Sequence, residues 1–240
     1  MTAERARHRV AILQSNYLPW KGYFDLIGQV DRFIFYDDLQ YTKHDWRNRN
    51  RIKTPQGVRW LTIPCGTDQR RRICDVRIDA IDWQGDHWRR IEASYGSAPY
   101  WALYADRFRA FYLDTRWTHL SELNQALIRF IAADVLKLTA VFDDSRRFGA
   151  TASKTHRLID VLVKAGATDY LSGPAAKAYI EPGLFEEAGI ALHYASYDGY
   201  PEYPQLHGPF VHDVSVIDLL FHTGPDARAY LRRSAEQTAA

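Results

Sequence analysis

The chain has 240 residues, 46% of them hydrophobic, which is enough for one sizeable core in one large domain or a domain with a helical lobe. Lys plus Arg total 31 against 29 for Asp plus Glu, and the net charge of +2 excludes a general nucleic-acid coat while leaving room for local basic patches. No run approaches membrane-spanning length, residues 1–8 are polar and precede no signal-peptide core, and with only Cys65 and Cys74 present the expectation is a cytoplasmic protein with reduced thiols.

The first element is the apolar run Val10-Ala11-Ile12-Leu13, which reads as a strand buried on both faces. It stops at Gln14-Ser15-Asn16-Tyr17-Leu18-Pro19-Trp20, where Pro19 biases Leu18 away from helix. Residues Lys21 to Val30 are expected to be helical, and Arg32 to Tyr36 to be a second strand ending at Asp37 and Asp38. Strand, loop, helix and strand make a βαβ unit, which places ligands at the carboxyl ends of its strands. A polar, basic loop from Tyr41 to Arg51 follows, then a hairpin of Arg51–Lys53 with Arg59–Ile63 around Pro55-Gln56-Gly57. Val76 to Ile78 reads as a further strand.

From Trp83 to Leu138 the pattern is helical. Asp86 is the expected cap of a first helix bearing Trp88, Ile91 and Tyr95; a second runs from Tyr100 to Tyr112; a third, from Leu120 to Leu138, takes Ser121 as its N-cap. This block, 83–138, is expected to be a helical insertion or lobe within a single α/β domain spanning 1–240. Strand–helix order then returns: Thr139–Phe142, a helix from Thr155 to Ala165 with Ser153 or Thr151 as its cap, Thr168–Leu171, a helix Leu184–Ala188 stopped by Gly189, Ile190–Tyr194, and a closing helix Ser215–His222. Alternation at this spacing implies a mostly parallel sheet.

Polar clusters at the expected strand ends are the candidate site. Asp37 and Asp38 are adjacent on an extended chain and point opposite ways, so at most one faces a ligand; that carboxylate suits a sugar hydroxyl, a metal or an ammonium, and the alternative is that Asp38 caps a turn. Gln14 stands at the first strand end, and Ser172-Gly173 offers another turn for a ligand. Lys43, Arg47 and Arg49 in the basic loop suit phosphate or carboxylate, and Trp46 among them suits stacking on a base or sugar. Lys154, Thr155 and Arg157 open a helix, whose N-terminus attracts anions. GxxxxGK[ST], GxGxxG, HExxH and zinc-spaced Cys/His are all absent, which disfavours ordinary P-loop and dinucleotide enzymes and a zinc site and points to no particular cofactor. The expectation is that Arg47, Arg49, Lys154 and Arg157 form one shared anion site, while His222 on the apolar last helix is a satisfied core residue.

Gln14-Ser15-Asn16-Tyr17-Leu18-Pro19-Trp20-x-Gly22-Tyr23-Phe24, Asp37-Asp38-x-Gln40, Trp46-x-Asn48-Arg49 and, later, Lys154-Thr155-x-Arg157-Leu158, Tyr170-Leu171-Ser172-Gly173 and Tyr179 resemble the WbqC-like family over nearly the whole chain. The first turn reads Gln-Ser-Asn where Gln-Pro is usual. The resemblance implies a surface-polysaccharide (O-antigen-like) or sugar-nucleotide setting. It is compatible with a transferase acting on an amino sugar, sugar nucleotide or similar acceptor, or with a non-catalytic binding or scaffold protein of glycan assembly. In the transferase reading Asp37, Asp38 and Gln14 are catalytic, and Asn16, Tyr17, Trp20, Tyr23, Gln40, Lys43, Trp46, Arg47, Asn48, Arg49, Lys154, Thr155, Arg157, Ser172, Gly173 and Tyr179 bind substrate. A more distant similarity, to nucleotidyltransferase-like Rossmannoid domains, aligns Trp20-Lys21-Gly22-Tyr23 with an HxGH tetrad whose two histidines are both replaced.

Overall fold

The first apolar run forms β1 (Arg9–Leu13), the middle strand of a sheet in the computed structural model, which describes residues 6–79 and 82–231. The remaining ends of the 1–240 span expected as one domain, residues 1–5 and 232–240, lie outside the described residues, as do 80–81. In chain order come α1 (Lys21–Gly28), β2 (Arg32–Phe35), β3 (Arg49–Thr54), β4 (Gly57–Thr62), α2 (Trp83–Tyr95), α3 (Trp101–Leu113), α4 (Leu120–Arg129), β5 (Val141–Asp144), α5 (Lys154–Lys164), β6 (Asp169–Ser172), α6 (Pro182–Glu187), β7 (Ala191–Tyr194) and α7 (Val216–Thr223). Among the described residues five strands form one sheet in the order β5-β2-β1-β6-β7, with every pairing parallel. β3 and β4 form a separate antiparallel hairpin, with Ile52 opposite Arg59. The fold is α/β with a Rossmann-like parallel sheet.

The sheet buries both faces because its strands carry apolar residues at successive positions. Alternation divides them: Val10, Ile12, Ile34 and Tyr36 join the cluster under α5 and α6, whereas Ala11, Phe33 and Phe35 join the larger cluster of the helical side. The helices of 83–138 belong to that larger cluster. Their aromatics meet α7 at Phe221, whose ring centre lies 4.9 Å from Trp101, 5.5 Å from Tyr95 and 5.6 Å from Phe108. Gly224, just past α7 at φ +55°, lets the Tyr100 ring pack so closely that a Cβ there would lie 2.3 Å from it.

Several expected local features are corrected by tertiary partners. Val76–Ile78 is no strand: Arg77 forms a single bridge with His119, because its neighbour turns at once into α4. α2 is capped by Asp82, whose carboxyl accepts from Gly85 N–H at 3.2 Å, and Asp86 lies inside the first turn. His119 occupies the N-cap position of α4, leaving the Ser121 side chain free for a distant partner. The expected helix to Leu138 is α-helical only to Arg129 and widens into a π turn over Phe130–Val135. β5 starts two residues later than expected, in register with β2 through Arg32 and Val141. Ser153 sits at the N-cap of α5 without making a side-chain cap bond. Cys65 and Cys74 are both free thiols.

A buried polar chain crosses the helical side. Tyr17 O–H lies 2.9 Å from His87 Nδ1 and 2.6 Å from the Tyr112 hydroxyl, and His87 Nε2 lies 3.2 Å from Thr62 O. Desolvation, helped by nearby Arg90, lowers the His87 pKa to about 4. The unfolded chain therefore takes up this proton at higher pH than the folded one. Stability from the neutral ring is complete above about pH 6.5 and is lost as pH falls towards 4, by up to about 3 kcal/mol. Urea titrations across this range are expected to show that loss, and His87→Gln to flatten it; an unchanged profile in the variant would show that His87 does not carry the effect.

Candidate functional site at the carboxyl edge of the sheet

Because the five strands are parallel, Gln14, Asp37, Ser145 and Ser172, each at or just past a strand end, share one edge. The chain runs outward from β1 through β2 to β5, and in the opposite direction from β6 to β7, so the order reverses between β1 and β6. Crevices at such reversals are where open α/β sheets bind ligands. A cavity of about 560 Å³ opens here, with Gln14 at the end of β1, Tyr36 and Leu39 after β2, Lys154, Thr155 and Arg157 on the first turn of α5, and Tyr170, Tyr179 and Glu181 from β6 and the segment after it.

Arg157 is fixed in this wall. It donates to Asp38 and to Ala150 O, and its guanidinium lies 5.4 Å from the Tyr36 ring centre. Burial raises the Tyr36 phenol pKa, with Arg157 pulling against it. Lys154 is exposed and, among the described residues, makes no side-chain hydrogen bond or ion pair; its backbone is left-handed at φ +52°. Tyr179 is 72% exposed at the rim. The crevice thus presents one unspent cation, a helix N-terminus and an exposed aromatic ring. Thr155, which lines the crevice, is buried, as is Ser172 at the end of β6, and a Cβ on Gly173 would lie 3.4 Å from the Tyr197 hydroxyl.

Asp37 and Asp38 diverge as adjacent strand-end residues must. Asp38 faces the α5 side, accepting from Ser145 Oγ at 2.6 Å and from Arg157. Asp37 faces α4 and is fully buried; it accepts from Ser15 N at 2.7 Å, from Ser121 Oγ, and from Gln125 Nε2 at 3.1 Å. Cys74 N donates to the Asp37 carbonyl at 2.8 Å. Sequence reading missed Ser121 and Gln125 because helical spacing marks them only as a cap candidate and a polar face. Tyr36, Tyr170 and Glu181 were also missed, although Tyr36 follows β2 directly, Tyr170 lies within β6 and Glu181 lies in the segment after it.

The remaining candidates spread along the same edge. Arg47 donates to Gln14 Oε1 and, at 2.6 Å, to Asn16 Oδ1, so it bridges the crevice wall to the next cavity. That cavity, about 220 Å³, is bounded by Asn16, Trp20, Trp46 and Arg51. Arg49 lies beyond, stacked 4.2 Å from the Trp60 ring centre in a cavity of about 300 Å³. The expected shared anion site is therefore distributed: Lys154 and Arg157 line the crevice, Arg47 lies between, and Arg49 lines the hairpin cavity. Tyr17 belongs to the buried polar chain, and Tyr23, also buried, donates to Gln14 O at 3.0 Å. The Trp20 indole lies over Gly22, where a Cβ would sit 2.3 Å from the ring, so the Trp20–Tyr23 tetrad serves packing at the start of α1. Asn48 is buried and donates to Ile63 O at 2.9 Å, while Gln40 and Lys43 are exposed on the loop. No group of His, Cys, Asp and Glu suited to a metal ion occurs among the described residues.

The family model of the WbqC-like protein family matches residues 14–230. The chain is also 46% identical over 226 residues to a protein of Mycobacterium tuberculosis (strain ATCC 25618 / H37Rv) named Uncharacterized protein Rv1507c, covering 93% of this chain and 97% of that one. No solved structure matches.

Removing the Asp37 carboxyl strands two buried donors from two segments, Ser15 N and Ser121 Oγ, each worth about 1–3 kcal/mol when left unsatisfied, while Gln125 keeps Asp144 as a partner. Asp37→Ala is expected to lower unfolding stability by about 3 kcal/mol or more, read from the denaturant midpoint. An isolated loss of ligand binding at full stability would contradict that structural role.

Proposed function

The chain belongs to the WbqC-like protein family, and from that premise we propose that it is a transferase of surface-polysaccharide or related small-molecule biosynthesis that holds a sugar nucleotide in the crevice between β1 and β6. The observation that carries this reading is the coincidence, at the strand-order reversal, of unspent Lys154 on the first turn of α5 with the exposed Tyr179 ring. A phosphate suits the cation and the free N–H groups of the helix end. A flat base or a sugar face suits the ring. In this reading Lys154, Thr155 and Gln14 touch the ligand, Arg157 is positioned by Asp38, and Asp37 positions the loop that carries Gln14.

One observation favours the second reading, a non-catalytic binding protein of a glycan-assembly pathway. Asp37 and Asp38 both have protein donors, which leaves Glu181 as the carboxyl group lining the crevice without a hydrogen-bonding partner among the described residues. Single-turnover assays with a bound sugar nucleotide and candidate amino-sugar acceptors separate the two: group transfer supports the enzyme, and saturable binding without transfer supports the binder.

The binding claim is tested by thermal shift against nucleotides and sugar nucleotides, followed by calorimetry. A ligand at about 100 times its Kd adds about 2.7 kcal/mol to stability. Lys154→Ala is expected to weaken the sugar nucleotide by about 2 kcal/mol, the order for a hydrogen bond to a charged group. Tyr179→Ala is expected to weaken it by about 1 kcal/mol, with folding unaffected in both because the side chains are exposed. Equal affinities in wild type and both variants would remove the crevice from the account.

A further inference from the structure

We infer that the tryptophan cleft at the base of the β3–β4 hairpin is a second ligand site, and that it takes an acidic saccharide, a pyranose unit bearing a carboxylate. The inference rests on the sugar-handling reading of the protein, but it concerns a different cavity and different residues.

Trp46 and Trp60 are 41% and 38% exposed, unusually open for indoles, and their ring centres lie 5.5 Å apart at an angle of 40°. Trp46 lines both cavities of this region: one with Asn16, Trp20, Arg51 and Asp213, the other with His44, Asp45, Arg49, Arg51 and Trp60. Open indole surface beside polar groups suits a sugar, whose C–H face stacks on the ring while its hydroxyls reach the rim.

The charge at the cleft is set by which ions are already spent. Asp45 accepts from Thr42 Oγ1 and from Trp46 N, both at 2.6 Å, and lies 3.7 Å from Arg47. Burial opposes ionisation of this carboxyl group, yet Arg47, these hydrogen bonds and, least, the charge of Arg49 hold its pKa below the ordinary value. Arg51 is paired with Asp213. Arg49 is different. Among the described residues its side chain makes no hydrogen bond and no ion pair, and its Nε is buried without a partner. It stacks on Trp60, with its guanidinium 4.2 Å from the ring centre, and its charge also acts on the Asp45 carboxylate without an ion-pair contact. A guanidinium fixed by its face keeps its edge available, and that edge is a planar fork matched to a carboxylate.

The cleft also stands next to the crevice. Gln14 lines the crevice and Asn16 lines the cleft, and Arg47 donates to both across the buried Ser15. The saccharide site is thus one side chain removed from the proposed nucleotide site, where an acceptor would stand.

Saturation-transfer difference NMR on the full chain tests this, with methyl β-D-glucuronide and methyl β-D-glucoside as probes. The glucuronide is expected to bind about tenfold more tightly than the glucoside, the order of one charge-assisted hydrogen bond. Trp46→Ala and Arg49→Ala are expected to abolish its signal, and Arg49→Lys, which keeps the charge without the fork, to weaken it several-fold. Tyr179→Ala, in the crevice, should leave it unchanged, and melting curves of every variant confirm the fold. No glucuronide signal with wild type overturns the inference, as does equal binding of the two glycosides, or binding that survives both Trp46→Ala and Arg49→Ala. Thermal shift with sugar nucleotides is read in parallel. A protein that binds the glucuronide but no nucleotide retains the cleft and loses the crevice, and the opposite result does the reverse.

Discussion

One buried carboxyl group holds the carboxyl edge of the sheet together. Asp37, at the exit of β2, has no exposed surface, and its two side-chain oxygens receive the exit of β1 through Ser15 N and the first turns of α4 through Ser121 and Gln125. Its main-chain carbonyl receives Cys74 N from the 3-10 turn at 73–75. Gln125 continues the network to Asp144 at the end of β5, with a hydrogen bond of 3.1 Å. Burying such a group is costly unless every lone pair finds a donor. The cost is met only when β1, β2, β5 and α4 stand in one arrangement, so this network fixes where Gln14, Ser15 and Asn16 leave the sheet.

From that point the two sides of the sheet do different work. The helical side is a continuous apolar cluster in which Phe33 and Phe35 pack against Phe142, and Arg129 lies 5.0 Å from the Phe35 ring centre. The α5 side has a smaller cluster, and its packing stops short of the strand ends, where the crevice opens. Asp38 marks the boundary, because its bond to Arg157 ties the first turn of α5 to β2 without filling the space beside β1.

A second buried network shapes the hairpin side. Asp218 on α7 accepts from Tyr95 at 3.1 Å, Tyr203 at 2.9 Å and Gln205 at 2.8 Å. Lys53 on β3 donates to Gln205 Oε1, Gly208 O and Pro209 O, and His222 accepts from Leu206 N at 3.0 Å. Lys21, nearly buried among Tyr200, Tyr203 and Phe210, donates to Pro201 O at 3.0 Å; desolvation lowers its pKa to about 8, against the opposing pull of Asp218 and Glu202. Together these bonds pin the segment 201–213 over β3, which brings Asp213 to Arg51 and so leaves Arg49 as the unspent cation of the cleft.

The alternation of strands and helices, the parallel sheet, the hairpin turn at Pro55-Gln56-Gly57 and the divergence of Asp37 from Asp38 are legible along the chain, since each follows from side-chain period or turn chemistry within a few residues. The sequence also marked His222 as a core residue, and the structure fills both ring nitrogens, with Asp218 O and Leu206 N. Features that depend on a distant partner emerge only once the elements pack. Ser121 reads as a cap and donates instead to Asp37, 84 residues away; Val76–Ile78 has strand composition but meets the start of a helix. The basic residues read as one anion site are divided because Arg49 lies on the hairpin, stacked on Trp60, while Lys154 lies on α5. Local pattern fixes which face of an element is apolar and where it ends, but a polar side chain takes whichever partner the packed core leaves within hydrogen-bond reach, and that choice exists only once the elements have met.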